Sequence, residues 1–235
     1  MLEAFVTNLG RYNEGCLDGE FLKLPATTED VQALLKRIHV DGVRYEEIFI
    51  TDYETDVSSL YDCLGEYESI DELNYLASLL DDMDKSDQAK FEAALAYGEY
   101  TGSMKNLINL AQNLDCYEYY PDIHDEDDLG RFYIEEMCTL EIPEHLQNYI
   151  DYEAYGREMS LDDNGQFVDG GYIIENGDSI IEYYNGRDDL PEEHKIFAYP
   201  EPEKSIRDTL KQYQQMNDAA PVHVKDRLAP AFEER

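Results

Sequence analysis

From Tyr45 to Asp84 the chain runs for forty residues with 13 acidic side chains and not one lysine or arginine. A second stretch, Asn106 to Gly130, carries seven acids and again no base. Surfaces ordinarily mix signs, because opposite charges at i,i+4 stabilise a helix by about 0.2–0.5 kcal/mol per pair. Whatever these stretches fold into must therefore present carboxylates without local neutralisation. Cations are scarce elsewhere too: 54 Asp and Glu face 18 Lys and Arg, a formal net of −36 on 235 residues. Residues 186–235 hold 11 acids and 8 bases, and residues 1–185 hold 43 and 10, so a net of −33 sits on the first 185 residues.

Self-repulsion of this size opposes folding, and high net charge with low hydrophobicity is the mark of disorder. This chain differs, because 43% of its residues are apolar, with 20 Tyr and 8 Phe, and glycine and proline are not enriched. The expectation is a folded protein with a negative surface. Its acids are spread through every segment and form no tail. Such a surface repels nucleic acid and membranes and attracts a basic groove.

Three segments and an extension are expected, in an α+β fold of small α+β, helical and α+β domains. In residues 1–61, Phe5, Val6 and Leu9 read as a strand and Gly10 to Gly19 as a turn-rich loop. Glu20 to Leu24 alternates as a second strand, and Thr27 or Thr28 caps a helix through Val31, Leu34, Leu35 and Ile38. Tyr45 to Tyr53 returns as a strand. In residues 62–114, Ser69 and Glu72 have capping-box spacing, followed by a stripe of Ile70, Leu73, Leu76, Leu80 and Met83. Further helices are expected over Asp87 to Tyr97 and Met104 to Leu114.

In residues 115–185, a tyrosine-rich strand at Cys116 to Tyr120 precedes a helix opened by Asp125 to Asp128. Pro143 introduces a helix through Leu146, Tyr149 and Ile150, and hairpins turn at Gly170-Gly171 and Asn176-Gly177. Tyr149, Tyr152 and Tyr155 read as packing residues. Residues 186–235 are proline-rich and charge-balanced, which suggests an appended arm with one amphipathic helix around Lys204 to Met216.

Catalytic signatures are missing. His39, His124, His145, His194 and His223 show no metal-ligand spacing, and no phosphate-binding glycine loop or nucleophile elbow occurs. The expectation is a non-enzyme without cofactor or metal. Asp125, Asp127, Gly130 and Glu136 fall at positions 1, 3, 6 and 12 of a calcium loop, but Leu129 occupies position 5 and the segment reads as helix. Cys16, Cys63, Cys116 and Cys138 stand far apart, as expected of thiols in a reducing cytoplasm. No signal peptide or 18-residue apolar run is found.

A folded polyanion can imitate nucleic acid. Duplex DNA carries one charge per roughly 1.7 Å of axis, so a net of −33 matches the phosphates of roughly 16 base pairs. Asp81, Asp82 and Asp84 fall where the Ser69 helix ends, a position that disfavours carboxylates by about 0.3–1 kcal/mol each, which argues for function. Asp125 to Asp128 open a helix and have a structural reason to be there. A mimic aimed at another basic DNA-binding protein or defence nuclease, halophilic adaptation, or an acidic scaffold or chaperone for basic proteins gives the same composition.

Specific residues narrow these alternatives. NLGRYNEGCLDGEF (Asn8 to Phe21), ITDYE (Ile50 to Glu54), EYESIDELNYLASLL (Glu66 to Leu80), RFYIEEM (Arg131 to Met137) and HLQNYIDYEAYGRE (His145 to Glu158) resemble segments of the ArdA antirestriction proteins, in the family's order over residues 2–184. The resemblance implies an elongated protomer of three small domains and a curved homodimer joined through the third. It also implies imitation of bent DNA in the DNA-binding groove of type I restriction-modification enzymes, on the methyltransferase core, by proteins carried on mobile genetic elements.

Phe132, Tyr133, Ile134, Glu135 and Glu136 match the family's antirestriction motif near the dimer junction, with core packing as the alternative for the first three. The phosphate-imitating set comprises Glu46, Glu47, Asp52, Glu54, Asp56, Asp62, Glu66, Glu68, Asp71, Glu72, Asp81, Asp82 and Asp84 in the first stretch. Asp115, Glu118, Asp122, Asp125, Glu126, Asp127 and Asp128 supply the second. The family's counterpart ends near Ile173 to Tyr184, so residues 186–235 depart from its pattern.

Overall fold

The computed structural model describes residues 1–201. Strand β1 (Leu2–Asn8) lies at the centre of an antiparallel sheet, between β2 (Gly19–Leu24) and β3 (Ile48–Thr55). Alternation sends Leu2, Ala4, Val6, Leu22 and Leu24 into a core shared with Val31, Leu34 and Leu35 of α2 (Thr28–Arg37). The opposite face carries Glu3, Phe5, Phe21, Lys23, Asp52 and Glu54, which are paired across the ladder. Thr27 caps α2 in a reciprocal box with Asp30 (3.2 and 3.0 Å).

Leu9 is not in the strand. It opens a short helix α1 (Leu9–Asn13), because the Asn8 carboxamide accepts from Arg11 N (3.0 Å) and donates to the Ile38 carbonyl (3.0 Å). The loop expected after Gly10 therefore begins as a helical turn, and β3 starts at Ile48 rather than Tyr45.

Helices α3 (Ser58–Tyr61), α4 (Ile70–Asp82), α5 (Lys85–Tyr97) and α6 (Met104–Ala111) follow. The α4 stripe of Ile70, Leu73, Leu76 and Leu80 is buried with Phe91, Ala94 and Leu95 of α5 and Leu107, Ile108 and Leu110 of α6. The capping box expected at Ser69 does not form. Ser69 is at the N-cap position without a side-chain hydrogen bond, and Glu72 turns inward.

A second antiparallel sheet has the order β4 (Tyr117–Tyr120), β6 (Gly171–Glu175), β5 (Gln166–Val168). Between β4 and β5 lie α7 (Glu126–Arg131), a π turn at Phe132–Glu136, a 3-10 turn at Glu144–Tyr149 and α8 (Tyr152–Asp162). The helix expected after Pro143 is only that 3-10 turn, and Tyr149 is 83% exposed. The α-helix starts at Tyr152, after Asp151 caps Ala154 N (3.0 Å). Helices α7 and α8 cross at Gly130 and Gly156, where backbone meets backbone.

Among the described residues, no strand follows Asn176-Gly177. Instead the Asn113 carboxamide bonds both N and O of Ile181 (2.8 and 3.0 Å), and Asn109 does the same for Tyr184 (3.0 and 2.8 Å). Two side-chain amides, Asn109 on α6 and Asn113 just beyond its end, thus stand in for a neighbouring strand. Residues 186–200 are not an arm either, since Leu190 and Ile196 belong to the main core. Met1–Pro200 forms one compact unit. The helix expected around Lys204 to Met216 lies outside the described residues.

Candidate polyanionic partner interface

The first acid-only stretch is carried by β3, α3 and α4. Asp52 and Glu54 stand on the outer face of the sheet, and Glu54 lies directly opposite Glu3 on β1. Like charges paired across a ladder are destabilising, and Lys23, opposite Glu3 on β2, offsets the pair from the other side. The sequence did not single out Glu3; only the register reveals it. Asp52 accepts from Tyr61 Oη (3.2 Å) and Tyr53 N (2.9 Å), which fixes its carboxylate without neutralising it. Glu46, Glu47, Asp62, Glu66, Asp81 and Asp82 are exposed, and half-buried Glu68 accepts from Gly65 N (3.2 Å). Asp56 pairs with the N-terminal amine (2.9 Å).

Three of the expected acids do other work. Glu72 has a side chain only 7% exposed, and its carboxylate receives Tyr184 Oη and Arg187 Nε, each at 2.8 Å. Hydrogen bonding to Glu72 raises the Arg187 pKa, whereas burial and then Glu72 raise that of Tyr184. Asp71 accepts from the backbone N of Ile196 (2.8 Å) and Phe197 (2.7 Å). Both acids bind the following chain rather than facing a partner. Asp84 caps α5 through Ser86 N (2.7 Å) and Asp87 N (2.9 Å), so it belongs to the next helix rather than to the unfavourable end of α4. Asp81 and Asp82 do occupy that end, whose last turn contains no base.

In the second stretch, Asp115, Glu118, Asp122 and Asp125 are exposed, and Glu126, Asp127 and Asp128 are half-buried. Asp125 caps α7 through Asp128 N (3.0 Å), Asp128 accepts from His124 N (3.1 Å), and Asp127 pairs with Arg131 (2.7 Å). Glu118 accepts from Tyr120 Oη. Phe132 packs on Tyr120 with ring centres 4.8 Å apart, and Ile134 is buried. Tyr133 and Tyr172 each donate to Asp163 at 2.6 Å, with the Tyr133 phenol held above its usual pKa by burial and then by that carboxylate. Phe132 and Tyr133 are thus half-buried and Ile134 is buried, while Glu135 and Glu136 are exposed. A hollow of about 360 Å³ gathers Asp122, Asp128, Arg131, Phe132, Glu135 and Glu136.

Among the described residues, Arg187 with Glu72 is the only ion pair a Lys or Arg makes in the first stretch, and Arg131 with Asp127 the only one in the second. The remaining pairs use other acids, including Asp18, Glu20, Glu153, Glu182 and Glu192. Residues 202–235 carry six acids and six bases, so the entire formal charge of −36 resides on the described residues. Among them no group of three or more His, Cys, Asp or Glu side chains could hold a metal ion, and no helix is long and apolar enough to cross a membrane. What this arrangement can do is bind a polycationic surface through many weak, additive contacts.

No curated protein matches the chain. The family described as Antirestriction protein (ArdA) matches residues 4–174, a span that includes both acid-only stretches and Phe132–Glu136 and stops before the segment bound by Asn109 and Asn113. With nearly three quarters of its length matched, the chain belongs to the ArdA family of antirestriction proteins.

Proposed function

We propose that the chain blocks restriction by imitating DNA, occupying the basic DNA-binding groove of type I restriction-modification enzymes on their methyltransferase core. The observation that carries this reading is the state of the two acid-only stretches. They are folded, largely exposed and almost free of cationic partners, although neighbouring elements pair their acids with Arg and Lys in the ordinary way. Inhibition on this account is collective and needs neither catalysis nor a cofactor. Glu46, Glu47, Asp52, Glu54, Asp62, Glu66, Asp81, Asp82, Asp115, Glu118, Asp122 and Asp125 form its exposed core. The segments 1–61, 62–114 and 115–185 act as successive portions of the imitated duplex.

The reading extends to a homodimer joined through the third segment. Supporting it is the run of exposed apolar side chains beside Phe132–Glu136: Met137 (57% exposed), Leu140 (46%), Leu146 (43%) and Tyr149 (83%). Apolar exposure concentrated in this way is characteristic of surfaces that bind another protein. Inhibition kinetics of a type I enzyme on plasmid DNA test the function. Rising DNA concentration should relieve inhibition while leaving the maximal rate unchanged. Inhibition unaffected by DNA concentration would exclude the groove.

A further inference from the structure

The segment after β6 runs past the part of the chain that matches the family, and its anchors fall in a definite order. Residues 178–200 contain no strand, and their helical turns are Arg187–Asp189 and Glu192–His194. The segment is held by Asn109 of α6, then by Glu72 and Asp71 of α4, and last through Tyr199 by the first segment of the fold. The last step is short. Asp71 Oδ1 accepts from both Ile196 N (2.8 Å) and Phe197 N (2.7 Å), and only Ala198 separates Phe197 from Tyr199, a reach of at most about 7 Å between Cα atoms.

Tyr199 grips the first segment in three ways. Its Oη donates to the Glu46 carbonyl (2.8 Å), its own carbonyl accepts from Gln32 Nε2 (3.1 Å), and its ring lies so close to Gly42 that a Cβ there would sit 2.6 Å from Cγ. Asp41 organises the turn between these points by accepting from the backbone N of Val43 (2.9 Å), Arg44 (2.8 Å) and Tyr45 (3.1 Å). The turn is therefore ordered within itself, and its placement on the body is what remains to be fixed. Leu9 N holds the Glu47 carbonyl (3.1 Å), and Tyr199 holds the residue before it. Glu46 and Glu47, both exposed, open the first acid-only stretch, and Asp71 lies in the same stretch on α4.

We infer that residues 178–200 are a brace, with Tyr199 as the positioning residue that fixes Glu46 and Glu47 relative to α4 in the arrangement a basic partner meets. The inference rests on the DNA-mimic reading. It also gives Asp71 and Glu72 a function: withdrawn from the charged surface, they hold the segment that orders it. A charge array that is ordered beforehand loses less conformational freedom on association, so the brace raises affinity without adding a contact. Replacing Tyr199 removes no carboxylate, which separates its effect from that of collective charge. Affinity should fall while the number of ions released on binding stays the same.

The test compares the full chain with Tyr199→Ala, a change at a side chain that is 40% exposed. Hydrogen exchange read by mass spectrometry reports on the brace alone. Amides of residues 42–47 should exchange about tenfold faster in the variant, with those of α4 and β3 unchanged. Competition with labelled duplex DNA for a type I methyltransferase core, over a range of salt, reports on function. Displacement should need about three- to tenfold more of the variant at every salt concentration, with the same slope of log affinity against log salt. Tyr199→Phe, which keeps the ring on Gly42 and loses the bond to Glu46, should fall between the two in both assays. Unchanged exchange at residues 42–47, or acceleration spread evenly over the chain, would overturn the brace. Equal displacement by variant and native chain, or an altered salt slope, would overturn the positioning role. If the native chain itself displaces no DNA, the DNA-mimic reading fails, and the exchange result still decides whether the brace exists.

Discussion

Replacing Gly156 by alanine should destabilise this protein, although the same change inside a helix ordinarily stabilises by about 1 kcal/mol. A Cβ built on Gly156 would sit 2.7 Å from Gly130 N and 2.9 Å from the carbonyl carbon of Glu126, and closer still to that carbonyl's oxygen. Side-chain Cβ atoms do not approach backbone within 3.0 Å, and here no flexible side chain can move aside. Relief requires α7 and α8 to separate, loosening the cation–π contact of Arg131 with Tyr152 (4.3 Å) and the small core of Ile123, Leu129, Tyr172 and Ile174. Overpacking of this kind costs about 1–3 kcal/mol and sometimes more, so the upper part of that range overcomes the propensity gain and leaves a net loss of about 1–2 kcal/mol. Urea denaturation followed by tyrosine near-ultraviolet circular dichroism, at fixed salt, measures it. Gly102→Ala, at a glycine with open space around it, is the control and should change stability by less than about 0.5 kcal/mol. A Gly156→Ala midpoint equal to or above that of the native chain would refute the glycine-on-glycine crossing.

Reversing a single exposed acid such as Glu54 should change inhibition only a few-fold, whereas reversing Glu46, Glu47, Asp52, Glu54, Asp62 and Glu66 together should weaken it steeply and flatten its salt dependence in a competition assay. One exposed acid whose loss abolishes inhibition in a folded protein would contradict collective action. Arg187→Met should cost about 1–2 kcal/mol by leaving the buried Glu72 carboxylate with Tyr184 alone, a figure kept low because the Arg187 side chain is 66% exposed; an unchanged denaturation midpoint would show that Arg187 does not anchor this segment. The Glu175 carboxyl is raised by burial and by its neighbour Glu99, so the folded state holds its proton more tightly than the unfolded chain. That contribution is fully present below the unfolded pKa and is lost as pH rises through the folded value. Glu175→Gln should therefore stabilise at neutral pH and become indistinguishable from the native chain near about pH 4, as denaturation at both pH values would show. Maleimide should label exposed Cys16 and Cys138 quickly and Cys63 and Cys116 slowly, because burial raises the last two thiols; four equal rates in a mass-spectrometric time course would contradict the packing.

Periodicity was informative wherever a segment buries one face. The α2 cap at Thr27, the α4 stripe and the presence of three strands in residues 1–61 could all be read from spacing, because burial and local capping decide them, whereas the sheet order β2-β1-β3 could not. Reading failed where a side chain serves a distant partner. Glu72 has capping-box spacing from Ser69, but Tyr184 and Arg187, more than a hundred residues later, claim its carboxylate. Asp84 looked like the end of one helix because the Met83 backbone breaks the chain there and lets it cap the next. Helix α8 was hidden because Gly156, costly on propensity, is required by the crossing with α7. Residues 186–200 read as an arm because their few apolar positions, Leu190 and Ile196, show no period. For the interface, the acid-only stretches were plain in the sequence, but the separation of exposed acids from those holding the chain together required coordinates.

The measurement that bears most directly on DNA mimicry is a competition titration of the full chain against labelled duplex DNA on a purified type I methyltransferase core, at several salt concentrations. Displacement at near-stoichiometric protein, weakening as salt rises, is the predicted result. DNA that stays bound at large molar excess of the chain, at low salt as well as high, would contradict occupation of the groove.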